Sequence, residues 1–454
     1  MKNLPLEKTR IIDFGSAIAV PLSTKNMAIL GAEVIKVESV KRLDISRFGA
    51  YLNNHPTGEF WNKCGRYNTY NTNKKSLTLD LSHPEGRRIA QELVKVSDVV
   101  TENWTPRVKT NLGLDYNKLS MIKPDIILVS ASGYGATGRW ANWLAWGMAL
   151  DPMCGLSHLT GFTDGPPVKV GPPMTDMIGA SYVSLAILSA LEYRRRTGKG
   201  QWVDISELET GVLHNGLAIM DYVMNGRDQS RNGNRHSHLA PHGCYRCAGK
   251  DNWINIAISN DQQWHALCMI MGQVQLTSDE KFSTNQARYR NHDEIDTLIE
   301  AWTLTQDHNE AMYVLQEGRV PSGAVLNMKE LLLDKQVIER KAFPIVNHPP
   351  HDDGGDNMGK HPYPGLTWKN RGRPVRELRA APRLGADNEY VLSELLGMTK
   401  TEISELEKQQ IIGTKPDISD LGAIARTADN INQMMEEGII TGYDPDFRNI
   451  LGTE

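Results

Sequence analysis

Short apolar segments that predict strands alternate with segments that predict helices, and this alternation restricts the fold more than any other feature. The predicted strands cover 9–15, 32–38, 76–81, 98–103, 125–132 and 201–207. The predicted helices cover 21–31, 83–97, 105–113, 176–196 and 210–226. Strand–helix–strand units with short connections place consecutive strands parallel in one sheet. The pattern therefore predicts an α/β fold with a Rossmann-like, doubly wound parallel sheet.

Chain length and a change of pattern after residue 226 predict more than one domain. A chain of 454 residues exceeds the usual size of a single hydrophobic core. We expect 1–226 to form the N-terminal part of a large Rossmann-like domain and 227–335 to form a linker and a small α+β domain. Residues 336–454 are expected to return to the large domain and to end in helices and a tail. The clearest later elements are a hairpin over 244–259 and a helix over 387–412.

Charge and composition argue against two classes of partner. The formal net charge is −4, so no overall field draws the chain to nucleic acid or to anionic lipid. No stretch approaches the ~18 consecutive apolar residues of a membrane span, and the opening MKNLPLEKTRIIDFG has no apolar signal core. The five cysteines fit reduced thiols better than a disulfide framework. We expect a cytoplasmic protein without nucleic-acid or membrane partners.

Three short motifs suggest a cofactor, a metal or nucleic acid, and a simpler interpretation is favoured for each. GYGATG at 133–138 has the glycine spacing of a dinucleotide fingerprint, but a poor helix start follows it. CYRC at 244–247 lacks a second pair at metal spacing. RRR at 194–196 ends a predicted helix, where basic residues offset the helix dipole. We predict no metal site and no tightly bound cofactor.

Basic and amide side chains flank two predicted strands, in the segments NTNKKS and ENWTPRVK. Ligands of open α/β sheets bind in the crevice at the strand ends. The bases that can neutralise phosphates there are Lys74, Lys75, Arg107 and Lys109. Trp104 can stack on an adenine ring. A charged surface loop explains either segment alone, and two such segments leave the ligand site and the surface loop about equally favoured.

Asp176 precedes an apolar helix within KVGPPMTDMIGA. An aspartate in this position is most often an N-cap that accepts hydrogen bonds from the helix amides. Amides and the positive helix end also keep a carboxylate ionised in a dry crevice. An ionised, partly desolvated carboxylate is a competent nucleophile. Residue type alone favours the cap.

The order of these motifs resembles the family III CoA-transferases of the formyl-CoA transferase and carnitine CoA-transferase type, from about residue 6 to about residue 412. The similar segments include RIIDFGSAIAVPLSTKNMAILGAEVIKVES, NTNKKSLTLDLSHPEGRRI, DVVTENWTPRVKTNLGLDY, SASGYGATG, GFTDGPPVKVGPPMTDMIGA and PRLGADNEYVLSELLGM. The resemblance places the catalytic aspartate of the family on Asp176. It also accounts for the glycine loop without NAD.

The resemblance implies covalent transfer of CoA from an acyl-CoA donor to a carboxylic acid, with the CoA thioester as a substrate. Asp176 would form a mixed anhydride with the donor acyl group and then an aspartyl-CoA thioester. Amides near Ala17 and Ile18 would hold the oxyanion. Asn103, Trp104, Lys74 and Lys75 match family positions that line the CoA pocket, and Arg107 completes the predicted CoA contacts.

The resemblance also implies an interlocked, ring-shaped homodimer, with a hetero-oligomer of paralogues as an alternative. Succinyl-CoA is the expected donor, and an aryl-substituted or dicarboxylic acid is the expected acceptor. Trp140, Trp143 and Trp146 suit a bulky acid, although clustered tryptophan is more often core or interface. The family position near 147 is often acidic and is glycine here, and other departures make oxalate a doubtful substrate.

Three alternative functions use the same fold. A 2-methylacyl-CoA racemase needs a histidine near residue 146, where this chain reads AWGMA, so the missing base argues against racemisation. An isomerase that transfers CoA within one molecule would use the same aspartate. A non-catalytic subunit of a hetero-oligomer would leave the chemistry to a paralogue.

Overall fold

The computed structural model describes residues 4–350, 357–369, 374–418, 431–438 and 440–453. The chain divides into two compact units. The large unit comprises Met1–Cys154, Val170–Gly216 and Lys335–Glu454, and the small unit comprises Gly155–Lys169 and Leu217–Asp334. Parts of the segments predicted over 336–386 and 413–454 lie outside the described residues.

Six parallel strands form the main sheet of the large unit. They are β1 (Arg10–Asp13), β2 (Glu33–Glu38), β3 (Lys75–Thr78), β4 (Val99–Glu102), β5 (Ile127–Ser132) and β6 (Gln201–Ser206). Their order across the sheet is β3-β2-β1-β4-β5-β6, which is the doubly wound order of the Rossmann fold. The predicted α/β fold with a parallel, doubly wound sheet is confirmed.

The described helices differ in length from a single turn to more than six turns. In chain order they are α1 (Ala19–Ile29), α2 (Gly65–Asn71), α3 (Pro84–Lys95), α4 (Pro106–Leu112), α5 (Tyr116–Ile122), α6 (Gly147–Met153), α7 (Leu156–Leu159), α8 (Met174–Thr197), α9 (Glu207–His214), α10 (Gly216–Asn225), α11 (Asp261–Ile270), α12 (Asn285–Arg290), α13 (His292–Thr303), α14 (His308–Glu317), α15 (Met328–Leu333), α16 (Lys335–Glu339), α17 (Lys400–Lys408), α18 (Ile431–Glu436) and α19 (Phe447–Leu451). The remaining described helical segments are the 3₁₀ turns Ile45–Arg47, Leu52–Asn54, Phe60–Asn62 and Val274–Thr277 and the π-helical segment Tyr390–Leu395.

The central strands of the main sheet place apolar side chains on both faces because helices cover both faces. Successive strand residues point to opposite sides, so Ile12 enters the apolar layer covered by α3, α5 and α17, while Ile11 enters the layer covered by α1 and α8. Among the described helices, α8 alone is long and apolar enough to cross a membrane. Val183 and Ile187 of this helix pack in the second layer with α1, as core residues.

The predicted helices are correct in place but are interrupted more often than the pattern indicates. The helix predicted over 210–226 breaks at Asn215 into α9 and α10. The helix predicted over 387–412 consists of the π-helical segment and α17, separated by Gly397 with φ of 71°. The glycine stop predicted at Gly113 is confirmed, since Gly113 follows α4 with φ of 68°.

Antiparallel strands form the two smaller described sheets. In the small unit, β7 (His242–Arg246), β8 (Trp253–Ala257) and β9 (Ser322–Ala324) lie in that order, so the predicted hairpin is confirmed and gains a third strand. In the large unit, β10 (Ile345–Asn347) pairs with β11 (Lys360–Pro362). The core of the small unit is built on Trp264, Phe282 and the buried Cys247 of the CYRC motif.

Two buried ion pairs lie beneath the turn that joins β1 to α1. Lys74 Nζ is 2.8 Å from Asp13 Oδ2, and Lys36 Nζ is 2.9 Å from Asp44 Oδ2. Each of these four side chains is at most 1% exposed. Burial opposes the ionised form of Asp13, but the charges of Lys74 and Lys36 outweigh it and hold the pKa of Asp13 below 3.8.

The two carboxylates of this buried network bind the main chain of the turn. Asp13 accepts hydrogen bonds from the Gly15 amide at 2.8 Å and from the Thr24 hydroxyl at 2.7 Å. Asp44 accepts a hydrogen bond from the Ala17 amide at 3.0 Å. Ala17 has φ of 64°, a conformation that costs energy for a residue with a side chain. The network therefore fixes a strained turn at the carboxyl end of β1.

Replacing Asp13 should destabilise the large unit more than replacing an exposed acid. Asp13→Ala leaves buried lysine charge without its partner, and we expect the free energy of unfolding to fall by about 3–5 kcal/mol. Glu92→Ala is the matched control, because it removes only the exposed Glu92–Lys95 pair and should cost less than about 1 kcal/mol. Urea denaturation measures both values. Equal losses in the two variants would contradict the role of the network.

Candidate active site

Asp176 lies in the first turn of α8 but does not cap that helix. The amides of Met174 and Thr175 donate to the Asp151 carboxylate at 3.2 and 3.0 Å, and the Thr175 hydroxyl adds a bond of 2.9 Å. Asp151 on α6 therefore satisfies the start of α8. The N-cap interpretation of Asp176 is wrong, and its carboxylate is available for a different contact.

That contact is the N-terminus of another helix. The Asp176 carboxylate accepts a hydrogen bond from the amide of Ala19, the first residue of α1. Ile18, the N-cap residue of α1, supplies no side-chain cap. Free amides and the helix dipole make this end of α1 favourable for a negative charge. Asp176 thus occupies an anion-binding position that belongs to α1.

Burial makes the Asp176 carboxylate basic. Asp176 is only 9% exposed. This burial and the nearby Asp151 charge raise the pKa of Asp176 to about 6, although the Ala19 amide opposes the shift. The carboxylate is mostly ionised at pH 7 and is poorly solvated. These are the properties of a carboxylate nucleophile.

Residue 147 has no room for a side chain next to Asp176. A Cβ atom built on Gly147 would lie 1.7 Å from Asp176 Oδ2 and 2.6 Å from Pro173 Cβ. The glycine is therefore required for the observed carboxylate position. Neither Gly147 nor the 61% exposed Trp146 supplies a base to Asp176, which argues further against the racemase alternative.

The predicted oxyanion donors are only partly available. The Ala17 amide donates to Asp44 Oδ1 within the turn, so it is not available to an oxyanion. The prediction of Ala17 as an oxyanion donor is therefore corrected. No described residue accepts a hydrogen bond from the Ile18 amide. The Ala19 amide, which the sequence did not single out, already contacts the Asp176 carboxylate. The donors at the site are thus Ile18 and Ala19.

Lys74 is not available to bind a phosphate. Its ammonium group donates to Asp13 Oδ2 at 2.8 Å, to Asn71 Oδ1 at 2.8 Å and to the Pro21 carbonyl at 2.9 Å. An ammonium group has three donors, and all of them are used inside the protein. The structure therefore corrects the prediction of Lys74 as a CoA contact and makes it part of the buried network.

Lys75 and Lys109 are also placed away from a ligand crevice. Lys75 begins β3 and so lies at the amino end of its strand, where it pairs with Asp387 at 3.3 Å and lies over the Tyr390 ring. Ligands of such sheets bind at the carboxyl ends, so the prediction of Lys75 as a CoA contact is also corrected. Lys109 is buried and pairs with Glu102 at 3.0 Å.

The remaining predicted CoA contacts follow the carboxyl end of β4. Asn103 exchanges two hydrogen bonds with the main chain of Ser16, at 2.9 and 2.8 Å, and is thereby tied to the turn after β1. The Trp104 ring lies 5.2 Å from that of Phe14. Arg107 is exposed in the first turn of α4. These three residues therefore share the carboxyl edge of the sheet with the turn that precedes α1.

Sequence reasoning missed two side chains near Asp176. Glu207, the first residue of α9, is 6% exposed, and burial and the Asp176 charge raise the pKa of Glu207 well above its usual value. Burial and the Asp176 charge also raise the pKa of the Tyr70 phenol on α2, while Arg66 opposes this shift. An acid just after Ser206 reads as an exposed first-turn residue, so nothing in the sequence marks Glu207 as buried.

The three tryptophans after the glycine loop lie at the surface instead of in a core, and two of them stack on each other. Trp140 and Trp143 stack with ring centroids 5.3 Å apart, and Tyr134 meets both rings edge-on. Trp143 and Trp146 are 52% and 61% exposed. None of these three tryptophans belongs to the two described apolar layers of the large unit.

A basic, buried carboxylate at a helix N-terminus beside a Rossmann-like sheet has the chemistry that covalent acyl transfer requires. Comparison with protein families assigns the chain more specifically. The chain belongs to the CoA-transferase family III, whose model matches residues 6–388. The prediction of a family III CoA-transferase is confirmed.

Named relatives align with nearly the whole chain. Succinyl-CoA–D-citramalate CoA-transferase of Chloroflexus aurantiacus is 32% identical over 413 residues, which cover 90% of this chain and 98% of that protein. Human succinyl-CoA:glutarate CoA-transferase is 30% identical over 411 residues, 89% of this chain and 90% of that protein. The crystal structure of a CAIB/BAIF family protein from Brucella suis is similar with a TM-score of 0.77 and 28% identity, covering 87% of this chain and 100% of that chain.

A methyl group at residue 147 should displace the Asp176 carboxylate and impair CoA transfer. A shift of about 1 Å in a reacting group can reduce the rate about 100-fold, so we expect a loss of this order in Gly147→Ala. Gly216→Ala is the matched control, because a Cβ there meets no atom within 4 Å. Initial rates of thioester exchange measure the effect. Wild-type rates in Gly147→Ala would contradict the tight contact.

Proposed function

We propose that this CoA-transferase moves CoA from succinyl-CoA to a dicarboxylic acid, with Asp176 as the nucleophile. The observation that carries the proposal is the poorly solvated Asp176 carboxylate. It accepts a hydrogen bond from the first amide of α1, and it does not cap α8 because Asp151 accepts the amides at the start of that helix. Succinyl-CoA is proposed as donor because the citramalate and glutarate relatives are named for it.

The proposed transfer begins with attack of an Asp176 oxygen on the thioester carbonyl of the donor. The carbon–sulfur bond breaks, CoA leaves as the thiolate, and a mixed anhydride forms. The thiolate then attacks the Asp176 carbonyl carbon, which releases the donor acid as a carboxylate and leaves an aspartyl-CoA thioester. The acceptor carboxylate attacks this thioester, which breaks the carbon–sulfur bond, expels the CoA thiolate and forms a second mixed anhydride. The thiolate then attacks the acceptor carbonyl carbon, which gives the new acyl-CoA and releases Asp176 as a carboxylate. Thioester energy is retained throughout, so no ATP is required.

Main-chain donors stabilise the charge that develops in these steps. The Ala19 amide already bonds the Asp176 carboxylate, so it stays in place when the Asp176 carbonyl carbon becomes tetrahedral and its oxygen becomes negative. The Ile18 amide is proposed to bind the oxyanion of the donor or acceptor thioester. Both donors are held by the turn that the buried ion pairs fix, so little reorganisation is needed.

The CoA nucleotide is proposed to bind at the carboxyl edge of the sheet. Arg107 is exposed there and can pair with a phosphate, and the Trp104 ring offers an aromatic face to the adenine. Asn103 is proposed to position the pantetheine arm through its bonds to the turn before α1. Lys74 and Lys75 are not part of this proposal.

Arg66 is proposed to bind the second carboxylate of the acceptor. Arg66 and Tyr70 are four residues apart in α2 and so lie on one face of it. The Tyr70 phenol lies in the electrostatic field of both Arg66 and Asp176. Arg66 is exposed and forms no ion pair with any described residue. A guanidinium group binds carboxylates in a bidentate manner, so a diacid can contact Asp176 and Arg66 together.

The assembly is proposed to be an interlocked homodimer located in the cytoplasm. The large unit exposes apolar side chains on α8 and α9, among them Leu185 and Leu213, which are 60% and 64% exposed. They line a groove of about 510 Å³ with Tyr182, and apolar patches of this kind mark interfaces. A hetero-oligomer is the alternative, since one relative is the beta subunit of a succinyl-CoA–L-malate CoA-transferase. The free cysteines fit a reducing compartment.

Removal of the Asp176 carboxylate should abolish transfer and leave CoA binding intact. We expect Asp176→Ala to lose roughly 10⁴-fold or more in rate, as when a catalytic nucleophile is deleted. Wild type and variant are incubated with succinyl-CoA and glutarate, citramalate, an aryl-substituted succinate, oxalate or butyrate, and new thioesters are measured by mass spectrometry. Glu192→Gln, at the exposed end of α8, is the matched control. Near-complete turnover in Asp176→Ala would refute the proposed nucleophile.

Loss of the Arg66 charge should weaken diacids selectively. We expect Arg66→Met to raise KM for dicarboxylic acceptors at least about tenfold, the value of one charge-assisted contact, and to leave KM for butyrate and succinyl-CoA kinetics at a saturating acceptor unchanged. Arg66→Lys should lose part of the effect because it keeps the charge without the bidentate geometry. An equal change for diacids and monoacids would exclude this contact.

A further inference from the structure

Glu207 lies near the N-terminal part of α8, which carries Asp176, and the transfer steps above do not use it. A Cβ atom built on Gly179 of α8 would be 3.3 Å from Glu207 Cγ and 3.8 Å from the Ala19 side chain. Gly179 follows Asp176 by three residues and so lies on the same face of α8. Since Asp176 bonds the amide of Ala19, the Glu207 side chain lies on the face of α8 that carries Asp176, next to the first residue of α1.

The carboxyl group of Glu207 has no partner that would stabilise its charge. No described residue donates a hydrogen bond to it or forms an ion pair with it. Glu192 and Arg194–Arg196 lie at the far end of α8, so the charged groups near the start of α9 on the elements packed against it are Asp176 on α8, Asp151 on α6 and Asp204 on β6. Asp151 accepts the amides at the start of α8, and Asp204 accepts the Ala136 amide at 3.0 Å. Each of these neighbours is an acid.

The surroundings of Asp176 and Glu207 favour a single negative charge on this pair of carboxyl groups. The charge of Asp176 opposes ionisation of Glu207 in this poorly solvated site, so the pair favours a state with one proton at neutral pH. Asp176 has the Ala19 amide and the positive end of α1 to stabilise its negative charge. Glu207 has no such donor, and burial favours its neutral form. The proton therefore belongs on Glu207.

We propose that Glu207 is a positioning residue that holds the proton of the Glu207–Asp176 pair and so keeps the negative charge on the nucleophile. This inference rests on the proposed role of Asp176. A neutral Glu207 can donate a hydrogen bond to an Asp176 oxygen and orient the other oxygen towards the thioester. It also cannot act as a general base on water, so the anhydride and thioester intermediates are protected from hydrolysis.

The test compares Glu207→Gln with Glu207→Leu in pH profiles of kcat/KM. Glutamine imitates a neutral acid, so Glu207→Gln should stay close to wild type, and activity should still be lost as the pH falls through about 6, the pKa of Asp176. If Glu207 were ionised, Glu207→Gln would remove a negative charge, and the acid limb of the kcat/KM profile would move to lower pH. That shift would overturn the proposal. Leucine removes the hydrogen bond, so Glu207→Leu should lose about tenfold in kcat with KM for the donor unchanged. A fully active Glu207→Leu also overturns it.

Infrared difference spectroscopy tests the proton directly, without catalysis. Wild type at neutral pH should show the carbonyl band of a protonated carboxyl group, and Glu207→Gln should lack it. Glu209→Gln, an exposed carboxylate on the same helix, is the matched control and should keep both the band and the pH profile. Absence of the band in wild type overturns the proposal. An active Asp176→Ala variant that retains the band would instead refute the nucleophile alone, so the two failures are distinguishable.

Discussion

The hydrogen bond from the first amide of α1 to the Asp176 carboxylate is the contact on which the site depends. It exists because the chain leaves β1 through a fixed turn. The buried Asp13–Lys74 and Lys36–Asp44 pairs hold that turn in a conformation with positive φ at Ala17. Burying these charges costs free energy, and the turn that they hold is a preorganised site for an anion. This turn therefore connects the fold of the large unit with the proposed chemistry of Asp176.

Three neighbouring acids take different roles because their surroundings differ. Asp151 accepts the amides that begin α8, so its charge is stabilised and structural. Asp176 has one amide donor, which favours its ionised form, and little solvent, which raises its pKa, and we propose that it is the nucleophile. Glu207 has neither, and we propose that it is neutral. A site of buried acids without a nearby base costs stability, as reactive sites commonly do.

The sequence predicted the sheet better than it predicted the contacts around the candidate site. Alternating strands and helices determine a doubly wound order, and this prediction was correct. Lys74 and Lys75 were misassigned because their partners, Asp13 and Asp387, are distant in sequence, so the segment NTNKKS alone does not show that these charges are paired. Ala17 was misassigned because its acceptor, Asp44, is distant in sequence. Glu207 was missed because burial of a first-turn acid arises from tertiary packing alone.

Trapping the acyl-enzyme tests the central claim most directly. The protein is incubated with succinyl-CoA and then with hydroxylamine, which converts an activated carboxyl group into a hydroxamate, and the peptides are sequenced by mass spectrometry. We expect one modified residue, Asp176, and only when the thioester donor is present. Modification of a different carboxyl group, or none at Asp176 during active turnover, would contradict it.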